Sequence, residues 1–70
     1  MKVQYDPDAD VMRIIFQDVF VEETAEEIPG IVFDFDQDGI VVGIEILKAS
    51  QRIDNPHSIE YTACLKSLKA

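Results

Sequence analysis

The stretch Asp34-Phe35-Asp36-Gln37-Asp38-Gly39-Ile40-Val41-Val42-Gly43-Ile44-Glu45, DFDQDGIVVGIE, satisfies the calcium-loop pattern D-x-D-x-D-G-x5-E at every specified position. Such a loop wraps an ion only when one helix leads in and another leads out. Neither flank reads as a helix. Pro29-Gly30 stands directly before Ile31-Val32-Phe33 and would break an incoming helix near its end. The outgoing Ile40-Val41-Val42-Gly43-Ile44-Glu45-Ile46-Leu47 is β-branched and carries an interior glycine, so strands suit both sides.

Taken as a hairpin with a two-residue type I′ turn at Asp38-Gly39, the stretch pairs Phe35 with Val42, Phe33 with Ile44 and Ile31 with Ile46. Six apolar side chains then lie on one face. A register shifted by two residues keeps the same faces. A shift by one would set Phe33 and Phe35 against Gly43 and Val41 and lose the match. On the opposite face Asp34, Asp36 and Glu45 stand together with Asp38 in the turn, so Asp34, Asp36, Asp38 and Glu45 are the metal candidates, for calcium or another hard cation. The simpler reading needs no ion. Aspartates bond their own backbone in turns, and Gly39 takes a positive φ without strain.

Outward from the hairpin, the chain alternates towards its start. Val3 and Tyr5 are two apart, as are Met12, Ile14 and Phe16, and Asp6-Pro7-Asp8-Ala9-Asp10 between them favours a turn. After Gln17-Asp18, residues 19–27 begin β-rich and become acidic, which predicts a third strand that frays or lies at an edge. The last third changes period. Tyr61, Cys64, Leu65 and Leu68 follow the i, i+3, i+4, i+7 spacing of an amphipathic helix, with Asn55 as N-cap and Pro56 at the first helical position. The expected architecture is α+β: a single domain over residues 1–70, with an antiparallel β-meander of four to five strands over 1–47, a connector over 48–55, and a C-terminal α-helix over 56–69 packed on one face.

Composition bounds the function. Seventy residues lie near the lower limit for a self-sufficient core, so oligomerisation is an expectation. Val11, Ile15, Val32, Val41 and Leu47 fall on the reverse face and would be buried by a second copy, which favours a homodimer. Apolar residues at 47% and charged residues at 29% are a globular balance. With one cysteine, no secretory signal and no apolar run near the roughly twenty residues a bilayer requires, the chain reads as cytoplasmic with no membrane span.

Net charge is −8 and unevenly placed: residues 1–47 hold twelve acids against Lys2 and Arg13. This repels polyanions, so no nucleic acid is expected as partner. A small basic protein would be attracted instead.

Catalysis finds little in the residues. His57 and Cys64 lie about 10 Å apart along the expected helix, too far for a nucleophile and base, and the acids are too many for one pair to stand out. The chain is read as no enzyme, with no catalytic residue and no cofactor. Cys64 reads as a small core residue and His57 as a solvated helix-start residue. His57 and Glu60 offer only two metal ligands.

Tyr5-Asp6-Pro7-Asp8-Ala9-Asp10, Glu23-Thr24, Gly30-Ile31-Val32, and Asp34-Phe35-Asp36 through Asp38-Gly39 to Val42-Gly43-Ile44-Glu45-Ile46-Leu47 resemble, together and in order, the small bacterial family called domain of unknown function 2283 (DUF2283). The resemblance covers about residues 3–52. It implies a compact sheet-plus-helix protein without an established activity and an antitoxin-like place beside small toxins. It supplies no catalytic or binding residues. Ile40 departs from a position that is often polar in the family.

Overall fold

The structure, a computed structural model, describes residues 1–64. Two hairpin-forming regions and one apolar strand meet in a single sheet. β1 is Lys2–Asp6, β2 Val11–Ile15, β3 Glu23–Ile28, β4 Ile31–Phe35 and β5 Val41–Leu47, and one turn of 3-10 helix follows at Ala49–Gln51. Every neighbouring pair is antiparallel and the order is β1-β2-β5-β4-β3. Strand pairing is therefore not a simple meander. A hairpin (β1, β2) and a three-stranded meander (β3, β4, β5) are joined by residues 16–22, which carry the chain past β5 and β4 to the far edge. β5, the longest and most apolar strand, is the one the sheet places at its centre.

The β4–β5 hairpin confirms the strand reading of the opening stretch. Ile31, Val32, Phe33 and Asp34 pair with Ile46, Glu45, Ile44 and Gly43, and then the register slips so that Phe35 faces Val41 rather than Val42. The turn is the cause. The Asp36 amide donates to the Ile40 carbonyl at 2.9 Å and the Gly39 amide to the Asp36 carbonyl at 3.0 Å, so the loop has three residues, not two. Gly39 has φ 77° while Asp38 is not left-handed, which is a type I turn followed by a left-handed residue and corrects the expected type I′ turn. Such a loop leaves the strands one residue away from the register that the apolar faces require. A bulge at Val42 restores it.

The bulge also anchors the crossover. The Val42 carbonyl accepts from the amides of Phe16 (2.8 Å) and Gln17 (3.2 Å), and its side chain is only 1% exposed. Residues paired across strands share a face. One face therefore holds Val3, Tyr5, Met12 and Ile14 from the first hairpin, with Ile44, Ile46, Ile31, Phe33 and Phe35 from the second. The other face is mixed, with Gln4, Arg13, Glu45 and Val32 in one row and Ile15, Gly43, Asp34 and Thr24 in another.

The expected C-terminal α-helix is corrected: among the described residues there is no α-helix, and the fold is all-β, not α+β. Asn55, expected as an N-cap, sits at φ 46°, left-handed rather than the extended backbone an N-cap takes. Its side chain accepts from the His57 amide and its carbonyl from the Ser58 amide, which closes one turn that goes no further. Ile59, Tyr61 and Thr62 are weak helix formers and cannot propagate so short a nucleus. Tyr61 is 76% exposed and Cys64 is exposed, so the described half of the apolar stripe does not pack on the sheet and Cys64 is not a core residue. Residues 65–69 of the expected helix lie outside the described residues.

Candidate functional site

Of the four carboxylates singled out in the sequence, three are engaged, each with a different partner. Asp36 sits in the turn, where its Oδ1 accepts from the amides of Asp38 (2.9 Å) and Ile40 (3.0 Å). Asp34 is buried, 6% exposed, and accepts from the Thr24 hydroxyl at 3.1 Å across the β3–β4 pair. Glu45 stands 3.7 Å from Arg13 on β2. Asp38 is exposed at the tip. Among the described residues, no three of His, Cys, Asp or Glu come together as a metal cluster.

Gly43 is explained by Asp34. A Cβ at Gly43 would lie 3.1 Å from the Ile14 carbonyl and 3.3 Å from Asp34 Oδ2, so the glycine leaves room for the carboxylate between strands.

The opening motif proves to be a clasp. Asp6 Oδ1 accepts from the amides of Asp8 and Ala9 and shapes the turn after β1. Asp10, at φ 57°, accepts from the Tyr5 hydroxyl (2.7 Å), the Ser50 amide (2.9 Å) and the Ser50 hydroxyl (2.6 Å), while its carbonyl accepts from Ala49. One aspartate thus ties the first hairpin to the turn after β5. The hydrogen bond to Asp10 holds the Tyr5 phenol above its ordinary value, with desolvation and the charges of Asp10 and Asp6 acting the same way. The hydrogen bonds from Ser50 and Tyr5 hold the Asp10 carboxyl below its ordinary value. Tyr5 and Asp10 were visible as a motif, but nothing in the sequence pointed forty residues on to Ser50.

His57 packs edge-on to the Tyr5 ring, with centroids 5.1 Å apart and planes at 86°. It is exposed, as is Cys64.

The remaining candidate is a surface. β3 is an edge strand, as expected, although it begins at Glu23 and leaves residues 19–22 in the crossover loop. Glu22 just before it and Glu23, Glu26 and Glu27 along it are all exposed. The loop leading into it carries Phe16, Val19 and Phe20, each exposed, with Phe20 at 77%. Val19 and Phe20 flank a shallow depression shared with Asp36, Gln37 and Asp38. Periodicity had placed Phe16 in line with Met12 and Ile14, and the crossover pulls it out of that row. Val19 and Phe20 thus adjoin the turn that holds Asp36 and Asp38, and Glu23, Glu26 and Glu27 run away from it along the β3 edge.

These features define a small open antiparallel sheet with acids on its free edge. The family model described as "Protein of unknown function (DUF2283)" matches residues 2–50, and the chain belongs to that family. The matched span ends at Ser50, so it contains both sides of the Asp10 clasp. No curated protein and no solved structure matches the chain.

Proposed function

We propose that this chain is a non-catalytic, cytoplasmic protein-interaction module: an antitoxin-like neutraliser of a small basic partner, acting as a homodimer. The observation that carries the reading is the run of exposed side chains over residues 19–27, with Val19 and Phe20 beside the turn of Asp36 and Asp38, Glu22 at the end of the crossover, and Glu23, Glu26 and Glu27 along the free β3 edge. Acids steer a cationic partner into encounter, and buried aromatic side chains then hold it. The net charge of −8 favours such a partner over nucleic acid, and no helix among the described residues is long and apolar enough to cross a membrane.

Capture of a basic protein by the immobilised chain at low salt, weakened at high salt and weakened again by replacing Glu23, Glu26 and Glu27 with glutamine, is the expected result. Recovery of no basic partner at either salt concentration would count against the reading. The metal alternative at Asp34, Asp36, Asp38 and Glu45 has less support because Thr24, the turn amides and Arg13 already engage three of the four. Calorimetry with millimolar calcium tests it, and a binding heat would revive it.

A further inference from the structure

We infer that the open cleft between the β3–β4 turn and the turn after β5 binds a small molecule through one carboxylate or phosphate group, with Arg52 and Lys48 as the residues that hold it. The site is separate from the basic-partner reading, with which it shares only Glu26. The cleft measures about 540 Å3, within the range of small-molecule sites. Pro29, Gly30 and Leu47 form its apolar wall, and Lys48, Gln51 and Arg52 its polar one.

Both walls are fixed by backbone. The Leu47 amide donates to the Gly30 carbonyl at 2.9 Å and ties the two turns together. The carbonyl of fully buried Ala49 accepts from the amides of Arg52 (3.0 Å) and Ile53 (2.8 Å), while its own amide donates to the Asp10 carbonyl. Lys48 stands at φ 52° and ψ 48°, a left-handed conformation that a lysine rarely adopts and that its surroundings impose. Arg52 is placed more closely still. Its Nη2 donates to the Pro29 carbonyl, and its guanidinium lies against Gly30, where a Cβ would stand 2.9 Å from Nη2 and 3.4 Å from Cζ and Nε. A side chain at position 30 would push the guanidinium aside.

The chemistry left over points to an oxyanion. Arg13 is matched by Glu45, but among the described residues neither Lys48 nor Arg52 makes an ion pair, and the remaining N–H groups of Arg52 have no partner. A chain of net charge −8 thus holds two unmatched cations in one cleft. A guanidinium offers parallel N–H groups to the paired oxygens of a carboxylate or phosphate, and one already held in place loses little freedom on binding. Glu26 also lines the cleft, where its Oε2 accepts from the Gly30 amide at 2.9 Å. It opposes further negative charge, which suits a ligand with one anionic group and excludes a polyanion.

Proton–nitrogen NMR of the full chain, titrated at constant ionic strength with benzoate and with phenyl phosphate, is the test. The expected result is saturable shifts at Gly30, at residues 47–52 and at the Arg52 Nε, with a millimolar dissociation constant. Saturation by one probe alone assigns the anionic group, and saturation by both keeps the shared chemistry. Arg52→Gln weakens binding about 10-fold or more. Lys48→Gly weakens it about 2- to 5-fold and, because glycine suits the left-handed position, does not lower the unfolding midpoint; it decides the matter should Arg52→Gln fail to fold. Glu26→Gln tightens binding about 2- to 5-fold, the reverse of its effect on capture of a basic partner. Lys2→Gln, a cation on β1 at the other edge of the sheet, leaves it unchanged. No saturable shift with either probe, equal shifts with uncharged benzyl alcohol, full affinity in Lys48→Gly, weaker binding in Glu26→Gln, or an equal loss in Lys2→Gln overturns the inference.

Discussion

The Asp10 carboxylate accepts three hydrogen bonds, more than any other among the described residues, and so holds Tyr5 and Ser50 from a left-handed turn position. Its folded pKa is lowered, so the stability it contributes is complete above the unfolded value of 3.8 and is lost as pH falls through the folded value. Tyr5 is the mirror case. Its folded pKa is raised, so its contribution is complete below 10.0 and is lost as pH rises through the folded value. The clasp is therefore whole across the neutral range. In a Tyr61→Phe background, which leaves Tyr5 as the sole phenol, ultraviolet titration gives a midpoint above 10.0 that moves down in Asp10→Asn. Equal midpoints in the two proteins would contradict the clasp. Two glycines make a second pair of predictions. Gly39→Ala forces a left-handed alanine into open space and lowers stability by about 1–2 kcal/mol through backbone strain alone. Gly43→Ala crowds Asp34 and the Ile14 carbonyl and lowers it by about 1–3 kcal/mol, both read from denaturant midpoints.

At the scale of elements, the β4–β5 hairpin shows what a pattern of residues can and cannot specify. The apolar faces were legible because Ile31, Phe33, Ile44 and Ile46 admit only one parity. The register near the turn was not, because an Asp-Gly pair serves a two-residue loop as readily as the end of a three-residue one. The Asp36 side chain tips the choice by binding two amides of the longer loop, and Val42 absorbs the mismatch. Val42→Ala should cost about 2–3 kcal/mol, a large effect for two methyl groups, because the residue is fully enclosed at the bulge. A loss below about 1 kcal/mol would place the bulge outside the core. The edge strand behaves oppositely. Glutamine at Glu23, Glu26 and Glu27 should leave the unfolding midpoint nearly unchanged, since all three are exposed, while reducing capture of a basic partner.

For the whole molecule, strand content and the acidic edge could be read from alternation and charge, whereas the position of β5 between β2 and β4 could not. Local pattern reports which residues share a face but not which strand lies beside which, and residues 16–22 carried no signal that they cross to the far edge. The tail misled for a related reason: an i, i+3, i+4 spacing is necessary for an amphipathic helix but does not nucleate one, and the turn that left-handed Asn55 begins goes no further than Ser58. Among the described residues the sheet that results has an apolar face shaded at one margin by Pro56, His57 and Ile59 and a free acidic edge, and the edge carries the proposed function. Both depend on β5 being central. Two-dimensional proton NMR is the most direct check, through cross-strand backbone contacts of Ile46 and Ile44. The account predicts contacts from Ile46 to both Met12 and Ile31, and from Ile44 to both Ile14 and Phe33. Sequential amide–amide contacts of a helix through residues 40–50, with resonances of residues 34–45 shifting on addition of calcium, would contradict it.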